Sequence, residues 1–504
     1  MKRLIIYLII ALSSTLLQAQ ENGFIAGIDL DQSGMAFHNM LLVEDTVVLI
    51  GSAINAEHNH WGVLFVKMDT LGNVHDYKIH YDSQDDDYIF EPNYDFIKTS
   101  DGGYALVGQL FARNWGILMK LDVNGDLEFV QEYPDSTLWN TWHWGIVEFE
   151  QGYISVGLKQ EQFDALLDGF IMRTDKQGNL VWERRYGTQG MRDIFGRVLK
   201  IDENRFLVVS TTANVPTNLN TTWSKGEMLY YDSLGNLVTD IFLGETFGFD
   251  VSGPSALQIK PTYDNKWVNI GAYGTIIEAF NELAFKAEIV KRDTDFTVLW
   301  RTQFGDTTSW QNGFVEIAQT PDSGYVAVGQ YINTYPDIFM GGWFAKVNAQ
   351  GDSLWSRLDT LILSNGGNAE HFLSGVGVLP SGSIIACGQA IRWYEPSRSY
   401  GWVIKLDKDG CIVPGCHPTT GGTSDFESFV NSFAVYPNPV GDILNITGEG
   451  NFLVSVYDTQ GREMINRRKA HNTLSLTTTS YPHGVYFVKI EKGNKILTKK
   501  VIKK

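Results

Sequence analysis

The stretch FIKTSDGGYALVGQL at residues 96–110, followed by NWGILMKLDVNGDLEFVQEY at residues 114–133, decides the fold. It holds four β-rich runs separated by turn residues, of which Asp101-Gly102-Gly103 and Asp122-Val123-Asn124-Gly125 are the tightest. Short runs of Val, Ile, Leu, Tyr and Phe bounded by Gly, Asp and Asn read as strands joined by hairpins. In the Asp-x-x-Gly step the carboxylate accepts backbone N–H groups two residues on, and the Gly supplies the positive φ of a tight turn. No long 3.6-residue apolar period occurs in the chain, so helices are not the building unit.

Working outward, the same block recurs seven times. Its first anchor is an apolar run ending in Gly: VVLIG at Gly51, YALVG at Gly108, YISVG at Gly157, WVNIG at Gly271, YVAVG at Gly329 and IIACG at Gly388, with FLVVS ending at Ser210. The second anchor is the Asp-x-x-Gly turn, at Asp69, Asp122, Asp175, Asp232, Asp293, Asn348 and Asp407, in steps of 53, 53, 57, 61, 55 and 59 residues. Such a period marks an array of supersecondary units. Six copies keep the turn Gly; the fifth reads Asp293-Thr294-Asp295-Phe296 and is expected to turn differently. Four-stranded units repeated around an axis leave only short, protected sheet edges. The chain is therefore expected to be all-β, with a seven-bladed β-propeller over residues 20–416. The last copy lacks a full fourth strand, and GFIAGIDLD at residues 23–31 is expected to supply it and close the ring.

Loop lengths pick out a working face. Connections between first and second strands and between third and fourth strands are short, whereas the long segments fall between second and third strands or between blades, on the opposite face. Long loops on a rigid scaffold carry binding residues. That face is expected to present Trp61, Trp115, Trp142, Trp144, Trp310, Trp393 and Tyr394, with Arg113, Trp139 and His143 among them. Aromatic rings beside a few polar groups suit stacking on sugars or gripping a peptide; the competing role is packing between blades. Asp82, Asp85, Asp86 and Asp87 make calcium the candidate cation, although their spacing is not that of an EF-hand loop and a charge run is ordinarily a solvated loop. The pair His58-x-His60 shows no third ligand.

No Gly-x-Ser-x-Gly elbow, His-Glu-x-x-His pair or phosphate-cradling Gly-rich loop occurs, so neither a catalytic residue nor an organic cofactor is assigned. A two-carboxylate glycosidase site carries no local motif. A secreted polysaccharide hydrolase or lyase with its site at the long-loop face is thus the alternative to a non-catalytic binding module for glycan or protein.

The 504 residues are 43% hydrophobic and 19% charged, which excludes a disordered chain. The net charge of −18 argues against a nucleic-acid partner, because phosphate contacts need clustered Lys and Arg. Lys2 and Arg3, the apolar run Leu4 to Leu17 and the small residue Ala19 read as a signal peptide over residues 1–19. No later stretch reaches 18 apolar residues, so no transmembrane segment is expected in the mature chain. Cys411 and Cys416 flank a short turn-forming segment and are expected to form a disulfide on export, and Cys387 to be a buried, inert thiol.

Residues 417–432 are rich in Thr, Ser and Gly and read as a linker. The charge balance then reverses, to +6 over residues 433–504 against −24 before them. The tail reads as a small antiparallel β-sandwich of six or seven strands. Its opening Phe433-Ala434-Val435-Tyr436-Pro437-Asn438-Pro439, the run VSVYDTQGRE at 454–463, Gly484-Val485-Tyr486-Phe487-Val488-Lys489, and the basic end with Lys499 and Lys500 resemble, in order, the type A C-terminal sorting domain of Bacteroidetes type IX secretion cargo. The resemblance implies passage through the periplasm, recognition of the folded tail by the outer-membrane secretion machinery, and a secreted or outer-membrane-surface location. It implies recognition through Tyr436, Pro437, Asn438, Pro439, Gly484, Tyr486, Lys499 and Lys500. The propeller blocks, with GGYxxVGQ and KxDxxGNxxW, are similar to blades of secreted proteins of that phylum.

Overall fold

The computed structural model describes residues 23–413 and 433–504, apart from residues 29, 31, 55–56, 58, 91–95, 136–137, 162–165, 215–222, 248–257, 278–281, 306–308, 334–338, 363–368, 394–396, 460–461 and 493–494. The described residues form strands and no helix. Antiparallel pairing divides the first 29 strands into seven groups, six of four strands and one of five, with β1 paired to the last group.

The first group is β2 (Gly34–Val43), β3 (Thr46–Ile54), β4 (Gly62–Asp69) and β5 (Val74–His80). The second holds β6 (Tyr88–Ile89), β7 (Phe96–Lys98), β8 (Tyr104–Leu110), β9 (Trp115–Leu121) and β10 (Leu127–Tyr133), the short β6 and β7 both pairing with β8. β11 (Asn140–Phe149), β12 (Gly152–Gln160), β13 (Leu167–Thr174) and β14 (Leu180–Tyr186) form the third, and β15 (Met191–Asp202), β16 (Arg205–Asn214), β17 (Trp223–Asp232) and β18 (Leu237–Phe247) the fourth. An eight-stranded sheet contains two further meanders, β19 (Ile259–Pro261) with β20 (Trp267–Ile277), β21 (Glu282–Arg292) and β22 (Val298–Phe304), and β23 (Ser309–Gln319) with β24 (Tyr325–Asn333), β25 (Phe339–Val347) and β26 (Ser353–Asp359). One parallel pair, Phe285 with Gln311, joins them. The final group is β27 (Ala369–Val378), β28 (Ile384–Arg392) and β29 (Arg398–Leu406), completed by β1 (Phe24–Ile28) from the start of the propeller, with Phe24 opposite Lys405 and Ile28 opposite Gly401.

This is a β-propeller, and its core lies in the seams. Each pair of neighbouring groups shares one buried apolar cluster, as in Val48, Phe65, Leu106 and Met119 between the first two, and Phe24, Leu49, Leu64 and Val403 between the last and the first. Six of the third-to-fourth-strand turns also lock into the blade before them by a side-chain hydrogen bond to a turn carbonyl. Lys67 Nζ donates to Val123 O at 2.6 Å, Tyr133 Oη to Gly178 O at 2.8 Å, Arg173 Nη1 to Ser233 O at 2.6 Å, Trp300 Nε1 to Ala349 O at 3.1 Å and Arg357 Nη1 to Gly410 O at 2.8 Å. Lys405 Nζ to Thr70 O at 2.9 Å repeats the contact from the last group to the first. The turn Gly therefore has two duties. It takes positive φ, and it leaves room for an aromatic ring of the preceding blade, Phe65 at Gly125, Trp300 at Gly351 and Trp355 at Gly410.

The fifth turn corrects the expectation from sequence. Asp293 N donates to Thr297 O at 2.8 Å and Phe296 N to Asp293 O at 3.0 Å, the same pattern as Asp69, Gly72 and Asn73. Phe296 takes φ 65° in place of Gly. Its ring is buried, stacked on Trp267 at 5.2 Å, and that burial offsets the cost of a left-handed non-Gly residue.

The innermost strands surround a cavity of about 380 Å³ to which Met40, Ile97, Val147, Leu199, Lys260, Glu316 and Val376 contribute, one from each of the seven groups. Five of these strands carry a bulge at the same step, between Phe37 and Asn39, His143 and Gly145, Phe195 and Arg197, Phe314 and Glu316, and Leu373 and Gly375. Each bulge adds a residue and bends the strand, which suits the crowded axis.

The tail is one sheet of five strands, not the six or seven expected: β30 (Phe433–Tyr436), β31 (Ile443–Asp458), β32 (Glu463–Thr477), β33 (Gly484–Lys492) and β34 (Lys495–Lys503). The count is lower because β31 runs through both halves, pairing β30 over Asn445–Gly448 and β33 over Leu453–Asp458. Ile446, Val454, Val456, Leu476 and Val488 fill its core.

The long-loop face, a candidate binding site

On this face the loops after second strands and between blades come together. Arg113, in the β8–β9 loop, centres the best-defined polar cluster. Its Nη2 lies 2.5 Å from Asp82 Oδ2, its Nε 3.0 Å from Asp86 Oδ2 and its Nη1 3.0 Å from Glu132 Oε1. The guanidinium stands 5.5 Å from the Trp115 ring. Asp82 also accepts from the backbone N–H of Gln84 and Asp86, and Asp86 from those of Ala112, Arg113 and Asp87. Burial pushes the Asp86 carboxyl up, but the Ala112 N–H and the Arg113 side chain outweigh it and hold the group below the ordinary carboxylate range. Charge-assisted bonds of this kind tie the loop of the first blade to that of the second.

Asp82 and Asp86, read from sequence as calcium candidates, are thus occupied by Arg113 and backbone donors. Asp87 accepts from Trp61 N at 2.7 Å and lies 3.6 Å from His60 Nδ1. Asp85 sits exposed at φ 58°. Among the described residues, no group of three or more His, Cys, Asp or Glu is arranged to hold a metal ion. Cys411 is disulfide-bonded and Cys387 is a free, buried thiol; Cys416 lies outside the described residues.

The predicted aromatics divide. Trp61, Trp115, Trp142 and Trp144 are half-buried: Trp61 reaches Gly34 at the start of β2, Trp115 lies beneath Arg113, and Trp144 packs on the core of the first two blades. His143 is fully buried, with Nδ1 3.1 Å from Ser155 Oγ, and serves packing. Trp393 is 57% exposed and Trp139 46%. The Trp310 side chain and Tyr394 lie outside the described residues. Sequence reading missed Phe111, 60% exposed in the same loop as Arg113. The signal was there: a large aromatic just past the end of an apolar strand run, in a loop where no strand alternation requires it.

In the tail, Asn438 of the Tyr436–Pro439 motif pins the last strand. Its Nδ2 donates to Lys500 O at 3.0 Å and its Oδ1 accepts from Ile502 N at 2.9 Å. Tyr436 is exposed, whereas Tyr486 is buried with its hydroxyl donating to Pro482 O at 2.9 Å. Lys499 and Lys500 are half-buried on β34, and Lys500 Nζ lies 3.5 Å from Thr360 O of the propeller. Phe487 joins the apolar cluster that includes Trp402 and Ile412.

Residues 434–504 match the family of the secretion system C-terminal sorting domain. The match marks the chain for type IX export and a secreted or outer-membrane-surface location. A comparison with curated proteins finds no match. Among solved structures the chain is similar to Drosophila Semaphorin 2a, at 9% identity over 96% of this chain and 97% of that one with a TM-score of 0.41. It is also similar to the β-propeller domain of the Trilobed protease from Pyrococcus furiosus, at 8% identity over 73% and 95% with a TM-score of 0.37. A third similarity is to Penicillium chrysogenum α-L-arabinanase, at 8% identity over 78% and 99% with a TM-score of 0.38.

Proposed function

We propose that this exported protein is a non-catalytic binding module, a seven-bladed propeller whose long-loop face docks a glycan or a protein. The observation that carries the reading is the exposure of Phe111, Trp139 and Trp393 on that face. Large aromatics gain most when they leave water against a sugar ring or a partner side chain, and they are enriched at interfaces for that reason. The acidic and basic groups beside them point the same way. Asp82, Asp86 and Glu132 are bound to Arg113, so they brace the loops and are not poised as an acid and base on either side of a bond. The blade count rests on the seven seam clusters and on the seven inner strands around one cavity. The test is binding of the purified chain to arrayed glycans and extracellular proteins, with Phe111→Ala, Trp139→Ala and Trp393→Ala as probes. Loss of binding in these variants supports the reading, and cleavage of a bound glycan overturns it in favour of a hydrolase or lyase.

A further inference from the structure

The tail sheet has two faces, and one of them is its own core. Along β33, Tyr486, Val488 and Ile490 belong to the tail's apolar cluster, so Val485 and Phe487 point to the other side. Pairing carries that other face across the sheet: Tyr457 on β31 stands opposite Phe487, and Phe487 stands opposite Lys500 on β34. Directly paired residues share a face, so Tyr457, Phe487 and Lys500 form one row. The row lies against the propeller. Phe487 is 6% exposed within the cluster that includes Trp402, Ile404 and Ile412, and Tyr457 and Val485 of the tail pack against the same cluster as Trp355 and Ile362 of the propeller. Lys500 Nζ lies 3.5 Å from both the O and the Oγ1 of Thr360, just past the end of β26.

This contact is of a kind that can open. Both oxygens of the nearby Asp359 accept from Arg357, so Lys500 meets the neutral oxygens of Thr360 in place of a carboxylate. Burial pulls the Lys500 ammonium below the ordinary lysine range; Asp359 opposes that and Arg357 adds to it. A desolvated cation held by neutral groups is held weakly. The tail's own core, with Phe452, Val454, Val456 and Val488, takes no residue from the propeller. The tail can therefore lift off without losing the packing that folds it. The covered row includes Lys500, one of the residues that the sorting-domain resemblance implicates in recognition.

We infer that the propeller is a latch on the sorting tail: while Tyr457, Phe487 and Lys500 lie on the propeller, that face of the tail is closed to the secretion machinery, and export draws on the population in which the tail has lifted off. A partner that needs the lifted state binds with an affinity reduced by the fraction of chains in that state. A change that loosens the seat of Lys500 speeds export, and one that tightens it slows export.

Position 360 tests this with the tail sequence untouched. Thr360→Lys sets a second ammonium beside Lys500, and Thr360→Asp sets a carboxylate there, so the two substitutions push the contact in opposite directions. Hydroxyl-radical footprinting of the purified full chain reads docking through Phe487, with Phe111, 60% exposed, as the open reference and Phe452, 3% exposed in the tail's own core, as the buried one. Pulse-chase labelling with cell fractionation reads the rate at which each chain leaves the periplasm. In the parent, Phe487 is expected to be protected like Phe452. In Thr360→Lys its oxidation is expected to rise at least about threefold with Phe452 unchanged, and export to quicken by a similar factor; in Thr360→Asp export is expected to slow about threefold. Should Phe452 open as well in Thr360→Lys, that chain has lost its tail fold and Thr360→Asp against the parent decides alone. The inference is overturned if Phe487 of the parent is oxidised as readily as Phe111, if Thr360→Asp leaves the periplasm no more slowly than the parent, or if Thr360→Lys with Phe452 still protected leaves no faster.

Discussion

Replacing Gly125 by Ala tests the way the blades hold one another. Gly125 ends the Asp-x-x-Gly turn of the second blade at φ 82°, and a Cβ there would overlap the ring of Phe65 on β4 of the first blade. Phe65 is 1% exposed and cannot swing into solvent. The turn is also held by His80 Nε2 at 2.8 Å from Gly125 O, and by Lys67 on Val123. A left-handed Ala costs about 1–2 kcal/mol, and forcing a methyl into a filled seam costs about 1–3 kcal/mol more. Gly102 supplies the control: φ is 89°, but nothing lies within 4 Å of its would-be Cβ. Gly102→Ala bears only the conformational term, and the smaller entropy of the unfolded chain, about 0.4–1 kcal/mol, applies to both variants and cancels. Urea unfolding of the two chains should therefore place Gly125→Ala about 1–3 kcal/mol below Gly102→Ala. Equal destabilisation would refute the claim that the turn Gly is required for blade-to-blade packing.

Three further outcomes follow from the same physics. Phe296→Gly relieves a strained φ but forfeits a stacked, buried ring, a net loss of about 2–3 kcal/mol with Phe296→Ala about 1 kcal/mol worse; a stabilised Phe296→Gly chain would show that the Trp267 stack does not hold that turn. Burial holds His38 at about 4, His143 at about 3 and His371 at about 4. All three are neutral when folded and bind protons on unfolding below about pH 6.5, so stability is full above that pH and falls on acidification toward pH 4, by up to about 1.4 kcal/mol per pH unit for each His; unfolding curves that stay level between pH 6.5 and 5 would contradict this. Asn438→Ala removes two hydrogen bonds that fix β34, each worth about 0.5–1.5 kcal/mol. Cell fractionation should find less of that chain outside the cell and more in the periplasm, and deletion of residues 433–504 should retain all of it; normal export of the deleted chain would remove the tail from the sorting step.

Local chemistry made much of the propeller legible. Asp69, Asp122 and their counterparts announce a turn because carboxylate and Gly act within five residues, and the repeat spacing then fixes how many such turns there are. GFIAGIDLD was readable as the closing strand because the last copy was visibly short of one. Phe296 was not readable, since its partner Trp267 lies 29 residues earlier and what keeps the turn is tertiary burial. The Asp82–Asp87 run was readable only as a solvated charge run or a cation site, because Arg113, which binds Asp82 and Asp86, is remote in sequence and has no motif. Arg197, Lys260 and Glu316 are each unremarkable in their own blade, and only the packing of three successive blades around the axis brings them together. In the tail, the count of six or seven strands missed that β31 serves both halves of the sheet.

Binding of the purified full chain to arrayed glycans and extracellular proteins, with the same arrays then inspected for cleavage, tests the central claim most directly. The account predicts that at least one class of ligand is retained uncut, and at least about tenfold more weakly by the chain carrying Phe111→Ala, Trp139→Ala and Trp393→Ala together. Cut glycans, or retention indifferent to the three substitutions, would contradict it.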